Sequence, residues 1–502
     1  MTGVEASKLF VAPMASGARA ICELGVFYKK IRRLPGLSHE YLEKFVLFSK
    51  FMKNFSLFRQ FSFILLIFLT WEGSPALAGV NEEFLQAVLR GDRIEAESLL
   101  EQGADIEART KKGSTALIVA AAGNQISLLE FLLERGAKVN VRNRYGDTAL
   151  LLCATVGDVR CMALLTAKGE DVNAKNMLGW SPLARAARYG HLAGLRFLIK
   201  QGAEIDIRLN DGATPLIIAT AEQHSGAVHF LLENGADPNA QNREGTTAIL
   251  VAALAGRGDI IRALVSGGAD LKTQDSFGEP LLFLVVERDL VDTVRVLLEL
   301  GVEVESRSSR GWTPLMRAAK YGRVLTARAL LENKADVNGT SRNGATPLMI
   351  AAERGEVEMV QLLIEHQADI NAKSKNGTTP LISASAGGHE EIAELLLQRG
   401  AEPDAVIANG STSLMVAAER GHFPTVEVLL RYGADIQARS KRGWTALMVA
   451  AAGGHTQIIQ LFLDKGASTK PVTRNGWTAL KVALQLNRPA VVLQLKRAGA
   501  KE

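Results

Sequence analysis

Several things are scarce in this chain of 502 residues. It has 3 cysteines and 8 histidines, and aromatic residues make up 6% of it. No apolar run reaches the roughly 20 residues that a membrane-spanning helix requires; the most apolar stretch, Phe61 to Trp71, is well short of that. An excess of charge is missing too, once the chain is divided. The whole sequence carries 58 basic and 53 acidic residues, of which residues 1–78 hold 10 and 5, leaving 48 of each sign for the rest. Nucleic-acid binding draws on basic side chains that neutralise phosphates, so a nucleic-acid partner is not expected. Nor is there a Ser-His-Asp, Cys-His or phosphate-loop motif. The acidic residues recur at positions that read as solvated faces, so no enzyme activity, cofactor, metal or small-molecule substrate is expected.

What the chain does have is a period. A glycine recurs every 33 residues from Gly113 to Gly476, twelve times, without an insertion or deletion. Such a period belongs to stacked solenoids, whose units cannot bury an apolar face alone and are stable only against their neighbours. Gly311-Trp312-Thr313-Pro314-Leu315-Met316 shows the unit's opening. It has a turn glycine, a threonine N-cap, proline at the first helical position and then apolar residues. Thr or Ser stands two residues after the phase glycine in eleven of the twelve units, and only Pro280 departs. A small pair such as Ala120-Ala121, Ala318-Ala319 or Ala417-Ala418 follows, where helices must approach closely. Then comes a glycine such as Gly157 or Gly190 between helices, and a second helix ending in Leu231-Leu232 or Leu429-Leu430. Gly235-Ala236 and Gly433-Ala434 close their units.

These residues resemble the ankyrin repeat, G-x-T-P-L-x-x-A-A, then G-H, then L-L-x-x-G-A-x-x-N, over residues 81–502. The resemblance implies an all-α repeat solenoid, a single elongated array of helix-turn-helix units with β-turn tips. One departure is consistent. The fourth residue of the family's T-P-L-H signature is here Met316, Met349, Ile382, Met415 or Met448, so an apolar contact should replace the histidine's hydrogen bonding. Residues 79–112 read as an N-terminal capping repeat that opens on Asn81-Glu82-Glu83, with acids suited to a helix N-terminus. Residues 113–475 form eleven repeats. Residues 476–502 read as a C-terminal cap, with Lys481, Gln494 and Lys496 at positions that are apolar elsewhere. The chain runs out at Glu502, just after Gly499-Ala500, and no appended catalytic domain is expected.

Residues 52–78 carry a secretory pattern. Lys53 and Arg59 precede the apolar core, and Ser74-Pro75-Ala76-Leu77-Ala78 ends in an A-x-A site. Export to a periplasm or the exterior after cleavage near Ala78 is expected, with translation starting at Met52 and residues 1–51 an extension ahead of it. The alternative is an uncleaved anchor at residues 61–71 behind a cytoplasmic tail, the one route by which a membrane would be a partner. Cys153 and Cys161 fall in one unit, at a small-residue position of its first helix and an apolar position of its second. They read as two buried small hydrophobes or, in an oxidising compartment, as a candidate disulfide clamping that helix pair.

Five histidines, His191, His224, His389, His422 and His455, share one phase at the start of the second helix. The same phase elsewhere holds Gln125, Asp158 or Leu290, and successive histidines lie a whole repeat apart, so they read as structural and not as a metal ladder. The four tryptophans after residue 78, Trp180, Trp312, Trp444 and Trp477, all directly follow the phase glycine. Trp180 precedes Arg185, Arg188 and Tyr189, and Trp312 precedes Arg317, Lys320 and Tyr321 in the same places. Ankyrin-like arrays recognise proteins through turn tips and the concave first-helix face, so these ten residues are the candidate partner contacts, suited to an acidic or aromatic segment. The unit opening at Gly278 is degenerate. Pro280 replaces the cap, Val285-Val286 the small pair and Asp289-Leu290 the Gly-His. A weak joint near residues 278–305 is expected from that added bulk.

The expected function is therefore a non-enzymatic scaffold binding another protein along an extended concave face. An accessory or inhibitory subunit of an exported enzyme is the alternative. A hydrolase with a site on the concave face is a third, and no constellation of residues supports it.

Overall fold

The computed structural model describes residues 79–501. The leader, anchor and Met52 expectations lie outside the described residues. Among those described, no helix is long and apolar enough to cross a membrane.

The described chain is 26 helices in thirteen antiparallel pairs, beginning with Val80–Arg90 and Arg93–Glu101 and ending with Ala479–Gln485 and Pro489–Arg497. Among the described residues there is no sheet, only isolated bridges such as Arg109 with Thr115. The all-α solenoid that the resemblance implies is the observed architecture. From Ala116 on, each first helix has seven or eight residues, and every second helix has nine. Helices this short are marginal alone, so their order comes from stacking. First helices pack on first helices and second on second in adjacent units. The residue four after each phase glycine, a leucine from Leu117 through Leu183 and Leu348 to Leu480 except for Ile249, is 2% exposed or less, and the Ala-Ala pairs are sealed between helices. Met316, Met349, Ile382, Met415 and Met448 are buried as well. Their amides donate to the capping hydroxyls of Thr313, Thr346, Thr379, Thr412 and Thr445.

Three hydrogen-bond systems recur between successive units. In the first, turn tips form a ladder: the Arg144 amide donates to the Lys112 carbonyl (2.9 Å), Met177 to Tyr145 (3.0 Å), Asn210 to Leu178 (3.2 Å) and Arg243 to Asp211 (2.8 Å). This spacing requires glycine. Gly179 has φ +83°, and a Cβ there would stand 2.6 Å from the Asn210 nitrogen. The second system is a loop staple, in which a side chain 27 residues past the phase glycine accepts from a backbone amide of the next unit. Asn140 accepts from Asp171 (3.0 Å), Asn239 from Asp270 (2.7 Å) and Asn371 from Glu402 (2.9 Å). The third is the histidine phase. His191 Nε2 donates to the Thr155 carbonyl, His224 to Arg188, His389 to Glu353 and His455 to Glu419, each at 3.0 Å. Each ring fills the space over the previous unit's glycine; a Cβ on Gly157 would meet the His191 ring at 2.5 Å. The histidines are thus clips between repeats. Burial pushes the His191 imidazole below its ordinary pKa, which favours the neutral ring that the clip uses.

One junction lacks all three systems, and is crossed instead by Arg288, which donates to the Leu254 carbonyl (3.4 Å), and by the Arg262–Glu299 ion pair. Between the units opening at Gly245 and Gly278, the tip ladder is absent, and it resumes only where the Lys375 amide meets the Asn343 carbonyl (3.0 Å). Lys272 occupies the staple position, and an ammonium cannot accept. Leu290 occupies the clip position and makes no hydrogen bond with its side chain. The next junction is tied again. Arg323 donates to the Glu287 carbonyl (3.3 Å), Thr326 to Asp289 (2.6 Å), and Glu305 accepts from the Asp336 amide (2.9 Å). The missing hydrogen bonds lie at the near edge of the unit for which a weak joint is expected. Val285 and Val286 are fully buried there in place of the small pair.

Candidate partner-binding face

Trp180 is held by its turn. The Asn176 carboxamide oxygen accepts from the amides of Leu178 (2.9 Å) and Trp180 (3.0 Å), while its nitrogen donates to buried Asp147 (2.8 Å). The Ser181 hydroxyl caps the Pro182–Tyr189 helix by accepting from Ala184. Arg185, Arg188 and Tyr189 are spaced three and four residues apart on that helix and share a face. The Arg185 guanidinium lies 4.7 Å from the Trp180 ring centre and that of Arg188 5.1 Å, so one indole meets two cations. Arg188 also lies 5.9 Å from the Tyr189 ring and 3.7 Å from Glu222. Burial lowers the pKa of Arg185, but a guanidinium keeps its proton in a protein. Arg185 and Trp180 are both half-buried.

The second set matches in sequence but not in arrangement. Lys320 lies 5.9 Å from the Trp312 ring and 4.7 Å from the Tyr321 ring, and its ammonium donates to the Tyr321 hydroxyl (3.2 Å). Arg317, the counterpart of Arg185, turns away from the tryptophan. It pairs with Glu279 (2.9 Å) and Glu287 (3.1 Å) and lies over the Phe283 ring (5.4 Å). The cause is the preceding unit. Glu279 and Glu287 stand where the unit before Trp180 has Asp147 and Thr155, and Asp147 is already engaged by Asn176. Arg317, with its side chain 17% exposed, is held within the fold.

Trp444 is half-buried against the core, and its amide donates to the Ser440 hydroxyl (3.1 Å). Val449 and Ala452 stand where the other sets carry their cations, so this indole has no cation stacked on it among the described residues. Trp477 donates its amide to the Thr473 hydroxyl (3.1 Å) and borders an open recess with Lys481 and Leu484 at the last unit. The shared phase of the four tryptophans is a backbone position, and the structure gathers a charged aromatic cluster at only two of them.

Cys153 and Cys161 are both fully buried, with Cα atoms 5.7 Å apart and sulfurs in bonding contact. That separation falls within the disulfide range. Sequence reasoning missed Glu170. It replaces the alanine of the closing Gly-Ala pair and is 5% exposed. One of its oxygens accepts from the Leu150 amide (2.8 Å), and the Thr148 side chain also faces the carboxylate. Burial pushes its carboxyl up to about 7. The signal was present as the one Gly-Glu among the Gly-Ala closings.

The family model for ankyrin repeats (3 copies) matches residues 84–176, 164–242, 183–275, 249–341, 327–407 and 408–501. The chain belongs to the ankyrin-repeat family, whose repeats are generally protein–protein interaction modules. Among curated proteins, none matches closely enough to add a second comparison.

Proposed function

We propose that this is a non-enzymatic scaffold that binds a partner protein along its turn tips and first-helix face, in an exported compartment. The cluster of Trp180, Arg185, Arg188 and Tyr189 carries the reading. An indole stacked with two guanidiniums offers a large apolar area and fixed positive charge with little conformational freedom left to lose. The matching partner segment is acidic or aromatic. Lys320, Tyr321 and Trp312 form a second, weaker contact four units along. Arg317 belongs to the scaffold under this reading, because two carboxylates already neutralise it. The secretory pattern of residues 52–78 supports export, and buried Cys153 and Cys161 then form a bridge in that compartment.

The test is quantitative affinity capture from the native fraction with the wild type, Trp180→Ala and Arg188→Ala. A partner lost about ten-fold or more with either variant, at an unchanged thermal midpoint, supports the reading. Retention of every partner, or a large loss of stability, assigns the cluster to the scaffold. N-terminal sequencing of the native protein tests export; a chain beginning at Gly79 in an exported fraction is expected.

A further inference from the structure

The junction without ladder, staple or clip is also where the surface opens. A cleft of about 380 Å³ lies between the Ala248–Leu254 and Leu281–Glu287 helices, with the tips at Glu244–Thr246 and Asp275–Ser276 at its mouth. Its floor is aliphatic, made by Leu250, Leu254 and Leu284. The separation of the tips can be read at the glycines. A Cβ on Gly146, Gly179, Gly212 or Gly344 would stand 3.0 Å or less from the next tip's backbone, whereas one on Gly245 would meet nothing within 4 Å.

At every earlier tip junction the carbonyl before the phase glycine accepts from the following tip. Here the Glu244 carbonyl and the Ser276 amide make no such bond, and both residues line the cleft. They are an acceptor and a donor on neighbouring tips with no backbone partner. Three carboxylates, Glu244, Asp275 and Glu287, surround the opening against the single cation Arg288. The Phe277 ring, 84% exposed, stands on the adjoining tip.

We infer that this cleft is a docking site for an extended, basic peptide segment of a partner protein. The segment takes the place of the missing ladder. Its own N–H donates to the Glu244 carbonyl, and its carbonyl accepts from the Ser276 amide, as in addition of a strand to an open edge. One aliphatic side chain enters over Leu254 and Leu284, and flanking lysines or arginines meet Glu244 and Glu287. This site is separate from the Trp180 cluster and does not depend on it.

Two substitutions block the cleft with side chains this array already accepts. Leu254→Lys places a lysine at the phase of Lys320, and Leu284→Arg places an arginine at the phase of Arg185 and Arg317. The probe is a fluorescein-labelled pentapeptide, Gly-Lys-Leu-Lys-Gly, titrated by fluorescence polarisation against the full chain. Controls replace its leucine by alanine or its lysines by glutamates. Removing the leucine side chain is expected to weaken binding about ten-fold or more. The acidic peptide and both cleft variants are expected to lose binding to a similar degree, while Trp180→Ala leaves it unchanged. Circular dichroism and the thermal midpoint confirm that the variants fold. Equal binding of the acidic peptide, survival of binding in both variants, or no binding to the wild type overturns the proposal. Self-association that the same variants abolish, without peptide binding, assigns the cleft to a second copy of the chain and also overturns it.

Discussion

Glu170 shows how one side chain makes stability depend on pH. Its carboxyl is raised from 4.5 to about 7 by burial, so the folded state binds a proton that the unfolded state has released. Its contribution is fully present below pH 4.5 and is lost as pH rises through about 7. The total is roughly 3 kcal/mol, taken from about 1.4 kcal/mol per pH unit between those values. Glu170→Gln keeps an acceptor for the Leu150 amide without the charge. Thermal melts should show that variant gaining on the wild type from pH 5 to pH 8, with little difference at pH 4; parallel curves would refute the assignment. His191 runs the other way. Its lowered pKa means its stabilisation is complete above about 6.5 and lost as pH falls below that. Glu170 breaks the Gly-Ala closing visibly in the sequence, but its altered titration required knowing that Leu150 and Thr148 enclose it. The Arg317 contacts were not legible either, since a match of Trp, Arg, Lys and Tyr in one unit is silent about the glutamates of the unit before.

Among the elements, the Ala149–Val156 and Val159–Ala167 helices carry the cysteine pair. If the exported protein forms the proposed bridge, neither Cys153 nor Cys161 should react with a thiol reagent after denaturation without reductant. Reaction of both would exclude it. Closing so short a loop is worth about 2–3 kcal/mol in the chain-entropy account, and added reductant should lower the midpoint accordingly. The Leu281–Glu287 helix is the one whose N-cap is Pro280. Pro280→Thr would supply the hydroxyl that caps its neighbours, and an increase of about 1 kcal/mol in the unfolding free energy is expected from denaturant melts. A decrease would mean that the proline's fixed φ matters more there than the missing acceptor.

Across the whole array, stability is close to a sum of unit and interface contributions. A junction missing several hydrogen bonds, each worth about 1 kcal/mol, is where such a stack divides. Hydrogen exchange should show opening centred on residues 244–290 before either flank, and uniform protection there would rule it out. Lys272→Asn restores the residue type that staples at Asn140, Asn239 and Asn371. It should slow that exchange and draw the two halves toward one unfolding transition.

The period of glycines, the threonine caps, the small pairs and the paired leucines pointed to a stack of paired helices and to its apolar interior without reference to any structure. Each of those signals is local or repeats at a fixed interval, and a fixed interval is all that nearest-neighbour stacking needs. The tertiary structure decided which side chains of one unit meet those of the next. It turned five histidines into clips, stacked two cations on Trp180 and drew Arg317 away from Trp312. It also left the tips apart at Gly245. Lys272 and Leu290 stand in the sequence for anyone to read. Their meaning appears only when the acceptor and donor they fail to supply are seen across the junction, because a hydrogen bond has a partner and a sequence position does not.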